Sequence, residues 1–281
     1  MDVFSRNCFI ILLLKLDLLR ENMKVVILCG GFGTRIRDVA DNVPKPMLTI
    51  GGMPILLHIM RYYAHWGQRQ FVLCLGYQGQ AIKNYFLNYE PFSNDFTLEL
   101  GHHNKIEFHT EHREVGWKVT LAETGLNTMT GARVRKIAKY IGDDENFMLT
   151  YGDGVGDVDI KALLGFHISH GKVLTVTGVR PPSRFGELEI GGNGEVTAFN
   201  EKPQTSGGLI SGGYFVCRRE IFDYLGTGDG VVFEQEPMRN LVKDGQMMVF
   251  RHDGFWQPMD TYGEYKLLND LYESGLAPWK R

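Results

Sequence analysis

Residues 25–47, VVILCGGFGTRIRDVADNVPKPM, constrain this chain more than any other stretch. Residues 25–29 are an unbroken apolar run rich in β-branched side chains, followed by glycines, which is the pattern of a parallel strand covered on both faces. Gly30, Gly31 and Gly33 then supply a turn without Cβ atoms, where several backbone N–H groups can approach an anion closely. Thr34 and Arg35 add a hydroxyl and a planar guanidinium that suits phosphate oxygens. Further on, Pro46 biases Lys45 toward an extended backbone and Pro44 fixes its own φ, so the lysine is expected on a stiffened segment. Strand, glycine turn, arginine and held lysine together describe a site for a polyphosphate.

Two common glycine motifs do not fit. A P-loop needs a lysine followed by Ser or Thr after its second glycine, and none stands there. The dinucleotide fingerprint counted from Gly31 needs glycine at position 36, where the chain has Ile36. This disfavours a nicotinamide-dependent enzyme. A turn that uses glycine for geometry alone is the competing reading, and the pairing of Arg35 with Lys45 favours phosphate.

The flanking pattern gives the fold class. Residues 54–66 put Ile55, Leu56, Ile59, Met60 and Tyr63 on one helical face, with proline at the start and Gly67 past the end. Residues 71–75 read as a second buried strand and 81–89 as a helix. This βαβα alternation calls for an α/β fold with a parallel sheet. Residues 96–100, 105–109 and 115–121 read as strands of a small excursion outside that alternation. A helix is expected over 130–141, a core strand over 147–151, a helix over 159–170 and a strand over 173–179. A hairpin follows around Gly191 to Gly194, then a strand over 211–216, helical segments near 219–225 and 233–242, a strand over 247–251 and a final helix over 261–274.

With 281 residues, 43% of them hydrophobic, the chain can bury a full core. A net charge of −3 argues against a nucleic-acid or anionic-membrane surface, so any phosphate must be met by local cations. Cys8, Cys29, Cys74 and Cys217 form no C-x-x-C pair, which fits a reduced cytoplasm better than a disulfide framework. Residues 1–22 are apolar only in part and too interrupted by charge to span a membrane; they read as an extension before a functional start at Met23. His102, His103, His109 and His112 lack regular ligand spacing and read as strand and turn histidines.

GGFGTR followed by PKPM resembles the signature of the sugar-1-phosphate nucleotidyltransferase family. Within it, MTGAR at 129–133, YGDGV at 151–155 and GFWQPMDT at 254–261 are most similar to the branch that uses CTP and glucose 1-phosphate. The resemblance covers residues 23–281. It implies a Rossmann-like three-layer fold with a mixed, mostly parallel central sheet, of the nucleotide-diphospho-sugar transferase type, plus small β excursions. It implies a nucleotide site of Leu28, Cys29, Gly30, Gly31, Phe32, Gly33, Thr34, Arg35, Lys45, Thr128, Gly131, Arg133 and Gly152. Asp153 and Asp260 are implied as the carboxylates that hold Mg²⁺. Glu201 and Lys202 of an E-K-P motif, with Gly186, Gly212 and Gly213, are implied for the sugar phosphate.

The expected reaction is transfer of CMP from CTP to glucose 1-phosphate, giving CDP-glucose and pyrophosphate. A sugar phosphate is already a nucleophile, so no general base is needed; Arg35 and Lys45 are the expected catalytic groups. Arg133 is expected to donate to the acceptors of cytosine, although it also reads as a surface helix charge, and Trp256 to lie near the sugar or in the core. UTP, dTTP or GTP as the nucleotide, or a non-catalytic nucleotide-sugar binding protein, remain as alternatives. The resemblance further implies a homo-oligomer and a product that feeds deoxysugars of a surface polysaccharide.

Overall fold

The computed structural model describes residues 23–32, 43–101, 105–181, 187–190, 195–200 and 208–280. The extension at 1–22 lies outside them.

In chain order, the opening half holds strand β1 (Lys24–Leu28), a hairpin of β2 (Thr49–Ile50) and β3 (Met53–Pro54), helix α1 (Ile55–His65), β4 (Gln70–Leu75), α2 (Gly79–Leu87), α3 (Tyr89–Ser93), β5 (Phe96–Leu98), β6 (Ile106–Phe108) and β7 (Lys118–Glu123). There follow α4 (Thr130–Lys136), α5 (Ala138–Ile141), β8 (Asn146–Tyr151), β9 (Gly154–Gly156), α6 (Ile160–His170) and β10 (Leu174–Val179). The chain continues through β11 (Glu187–Ile190), β12 (Val196–Asn200), β13 (Ile210–Arg218), α7 (Glu236–Lys243), β14 (Met247–His252), β15 (Trp256–Pro258) and α8 (Tyr262–Glu273).

Seven strands form the central sheet in the order β14-β10-β13-β8-β1-β4-β7. β1 lies between β4 and β8 and runs parallel to both. β13 is antiparallel to its two neighbours, so the sheet is mixed and mostly parallel. The pleat of β1 explains its unbroken apolar run. Val25 and Ile27 point into one buried cluster, with Ile59, Tyr63, Phe71 and Trp279, while Val26 and Leu28 point into a second, with Phe147, Val134 and Ile137. Both faces are covered and the architecture has three layers. Each such fully buried side chain contributes roughly 1.5–3 kcal/mol against exposure.

The structure corrects four sequence expectations. The strand expected over 115–121 is β7, and it is no excursion: it pairs in parallel with β4, Gln70 opposite Lys118, at the sheet edge. Only the β5–β6 hairpin of that region stands apart. The helix expected over 130–141 breaks at Ile137 (φ −91°, ψ 1°) into α4 and α5. The helical segment expected near 219–225 is present as a 3₁₀ helix, Arg219–Tyr224, but the one expected over 233–242 starts only at Glu236, with Pro237 in its first turn. Lys45 is not extended. Residues Lys45–Met47 form a 3₁₀ turn closed by Met47 N–H to Pro44 O at 2.7 Å and Leu48 N–H to Lys45 O at 3.1 Å. Those bonds outweigh the steric bias that a following proline imposes.

Candidate active site

The site lies at the carboxyl ends of β1 and β8, where open α/β sheets receive ligands. Past β1, Cys29 N–H donates to Cys74 O at 3.0 Å, and Gly30, Gly31 and Phe32 continue over the sheet edge. A Cβ on Gly30 would collide with the guanidinium of Arg133 as it is placed here, so the glycine lets that side chain lie against the turn. Past β8, Gly152 N–H donates to Leu28 O at 3.0 Å; a Cβ there would stand 3.0 Å from that oxygen and 3.1 Å from Pro46 Cγ. This close approach turns the chain so that Asp153 follows at the mouth of the cavity.

Asp260 reaches the same point by a different route. β15 pairs antiparallel with β9, Pro258 opposite Gly154, and Met259 N–H donates to Asp153 O at 2.8 Å. Glu264 then accepts from Asp260 N–H at 2.7 Å and from Thr261 N–H at 2.8 Å, while Thr261 caps α8 in return. The capping box fixes the backbone that carries Asp260. Lys45 Nζ donates to Asp153 Oδ2 at 2.8 Å and to Asp260 Oδ1. Burial lowers the Lys45 pKa, but the charge of Asp153 and the hydrogen bonds to both aspartates outweigh it, so the ammonium titrates above the ordinary lysine value.

These groups open on a cavity of about 420 Å³. Leu28, Cys29, Gly30, Gly31, Phe32, Lys45, Thr128, Arg133, Asp153 and Asp260 all line it. Gly131 does not; it packs its first-turn backbone against Val231, where a Cβ would stand 2.9 Å from the Cγ1 atom. Gly212 and Gly213 line a cleft of about 50 Å³ beside it, with Trp256, and the two spaces share Tyr151 and Asp153. Gly213 has φ +76°, and a Cβ there would meet the Tyr151 ring. Gly33, Thr34, Arg35, Gly186, Glu201 and Lys202 lie outside the described residues.

Arg133 is buried, not a surface charge. Its terminal nitrogens donate to Leu75 O at 2.9 Å, Thr124 Oγ1 at 2.7 Å, Gly30 O at 3.0 Å and Leu126 O at 3.3 Å. It joins β4, the Gly30 turn and the 124–128 loop into one wall, and burial depresses its pKa. Trp256 Nε1 donates to Gly212 O at 2.7 Å, which orients the indole in the small cleft. Sequence reasoning missed the Tyr151 side chain, which stands between the two spaces and donates to Glu234. Burial first, and the Glu234 carboxylate second, push its phenol far above the ordinary range. Its place just before Gly152-Asp153-Gly154 was the available signal.

The two aspartates converge on one ammonium and therefore on one cation position. Magnesium needs only one or two carboxylates, with water and phosphate oxygens completing its shell, so this donor pair fits a divalent ion. Among the described residues no group of three or more His, Cys, Asp or Glu side chains forms a site for an all-protein metal centre.

Residues 24–265 match the family model described as Nucleotidyl transferase. The chain is 47% identical to the glucose-1-phosphate cytidylyltransferase of Salmonella typhimurium over 92% of its own length and 99% of that protein's. It is 43% identical to the probable glucose-1-phosphate cytidylyltransferase of Bacillus subtilis, with the same coverage. Among solved structures, HddC from Yersinia pseudotuberculosis superposes with a TM-score of 0.64 at 23% identity, over 89% of this chain and 99% of that one. An apo UDP-glucose pyrophosphorylase superposes with a TM-score of 0.63 at 16% identity, over 90% and 98%. At such identities these two show the shared fold.

Proposed function

The chain belongs to the nucleotidyl transferase family, and on that premise we propose that it transfers CMP from CTP to glucose 1-phosphate, releasing pyrophosphate. The observation that carries this reading is the convergence of Lys45, Asp153 and Asp260 at the mouth of the sheet-edge cavity. Identity of 43–47% to relatives named for that reaction supplies the choice of base and sugar.

In the reaction an oxygen of the sugar phosphate bonds to the α-phosphorus as the bond to the β-phosphate oxygen breaks, and pyrophosphate leaves with the electron pair. No proton has to move. The chain's task is in-line positioning and cancellation of charge. The Gly30–Gly31 turn presents backbone to the phosphates, and Lys45, with Arg35, stabilises charge on the transferring group. Mg²⁺ held by Asp153 and Asp260 would neutralise phosphate oxygens there. The Lys45 ammonium already touches both carboxylates, so it must share them with the ion. Arg133 supports the nucleotide wall; to donate to cytosine it would give up its longest bond, the one to Leu126 O. The cleft beside Tyr151, with Gly212, Gly213 and Trp256, receives the sugar, and Gly186, Glu201 and Lys202 complete its site.

The decisive experiment measures pyrophosphate release with glucose 1-phosphate and each of CTP, UTP, dTTP and GTP. CTP is expected to support turnover at least about tenfold above the others, the scale of one lost buried hydrogen bond to a charged group. A preference for another nucleotide would move the base assignment, and silence with all four would leave a binding protein.

We also propose a cytoplasmic homo-oligomer. The described cysteines, Cys29, Cys74 and Cys217, are free and buried, and no helix of the described residues is long and apolar enough to cross a membrane. Leu87, Phe92 and Leu100, on α2, α3 and the β5–β6 hairpin, are 74–84% exposed, apolar side chains of the kind that self-association covers. Light scattering at a single protomer mass would remove this assignment.

A further inference from the structure

A second cavity, of about 310 Å³, lies where α1, the segment ahead of β7 and the chain beyond α8 meet. It shares no lining residue with the active-site cavity. Arg61, Arg113 and Lys280 face it, with His58, Tyr272 and Trp279.

The charges are unevenly matched. Arg61 Nε donates to Glu114 Oε1 at 2.6 Å, and the buried Glu114 carboxylate is also 3.5 Å from His112 Nδ1. Arg113 and Lys280 are exposed and pair with no carboxylate among the described residues. Lys280 Nζ stands 4.4 Å from the centroid of the Tyr272 ring, a cation–π contact that holds the ammonium at the rim. His58 contributes neither charge nor a free donor. Ile50 O at 2.9 Å can only accept, so Nε2 carries the proton, and Nδ1 faces the Trp279 N–H at 3.4 Å. Burial, with the nearby charges of Arg61 and Lys280, pushes this imidazole down to about 4.

Three cations and one carboxylate around a small polar hollow leave two positive charges without an answer. A dianion cancels both, and a tetrahedral phosphate offers oxygens to a guanidinium fork and to an ammonium at once. The volume is at the low end of small-molecule sites. We propose that this cavity binds a small phosphorylated anion, a phosphate monoester or a diphosphate, between Arg61, Arg113 and Lys280.

Equilibrium dialysis of the full chain against radiolabelled inorganic phosphate, at constant ionic strength, tests this. The double variant R113S/K280S is expected to lose one saturable site, or to bind it at least about tenfold more weakly, since each charge-assisted contact is worth about that factor. With Mg²⁺ present, phosphate held in the active-site cavity persists in that variant and disappears in K45A. The control R251S, at an exposed arginine of β14 paired with Asp253, leaves the second site intact. Should the double variant fail to fold, R113S and K280S singly must each weaken binding. Unchanged dialysis in both single variants overturns the proposal. So does wild-type self-association that vanishes in the double variant without any phosphate bound, because an acidic surface of a second copy would then fill the hollow.

Discussion

The two cavities solve opposite charge problems. In the sheet-edge cavity the described cations are already answered: Lys45 by Asp153 and Asp260, Arg133 by three carbonyls and a hydroxyl. In the cavity beside α1, Arg113 and Lys280 are exposed and form an ion pair with no carboxylate among the described residues. Among its described groups the first is therefore balanced, and the proposed divalent ion would give it net positive charge toward a polyphosphate. The second presents that charge unaided. A balanced site keeps its groups rigid and spends its positive potential only when metal and nucleotide arrive together, whereas an unbalanced one attracts anions at all times.

Chelation sharpens this contrast most. Removing divalent metal with EDTA is expected to stop turnover entirely while phosphate binding beside α1 continues, and loss of both on chelation would mean the two cavities are not distinct in kind. Asp260→Asn should lower the rate on the order of 100-fold or more with little change in the melting temperature; a near-normal rate at limiting Mg²⁺ would remove Asp260 from the metal site. Trp279→Ala should cost about 3–5 kcal/mol in a urea titration, because Trp279 is 1% exposed and stacks on Phe255 at 5.4 Å. It should also spoil phosphate binding beside α1 more than nucleotide binding.

Acid should weaken the fold at two buried histidines. His58 and His167 are buried, with pKa values pushed down to about 4 and about 3, chiefly by burial. Below the ordinary histidine value the unfolded chain takes up protons that the folded chain refuses, so stability present at pH 7 is lost as pH falls through that window. Each imidazole should contribute on the order of 1–2 kcal/mol of loss between pH 7 and pH 5. Denaturant midpoints of His167→Asn, which removes the ring between Thr175 and Asn146, should show a flatter pH slope than the parent; an equal slope would assign the acid sensitivity elsewhere. The smallest effect belongs to the capping box: Thr261→Ala should cost about 1 kcal/mol and loosen Asp260, seen as a raised metal requirement without a change in phosphate binding beside α1.

Much of this was legible in the chain itself. Residues 25–29 read as a central strand because only an element covered on both faces tolerates such a run. The Gly30–Gly31 turn and the segment around Lys45 were expected to form a phosphate site from residue type alone, and the structure brings them to one cavity. The position of β7 was not legible, since parallel pairing leaves no local signature and an edge strand with one half-exposed face looks like an excursion. Lys45 in a 3₁₀ turn was hidden because two local hydrogen bonds decided against the bias of the next residue. Arg133 read equally well as a surface charge, and only its depth beneath Gly30 shows that it braces the wall.

The amino-acid sequence by itself determined the layered α/β class, the glycine turn and the residue types from which a phosphate site was expected, because these follow from periodicity, Cβ sterics and side-chain chemistry within a short window. Tertiary structure alone decided that Lys45, Asp153 and Asp260 share one point, through the three-residue β9 and β15 ribbon and a helix cap. It alone gathered Arg61, Arg113 and Lys280 around one hollow. Charges that far apart along a chain interact only where packing brings them together, and no local pattern records that distance.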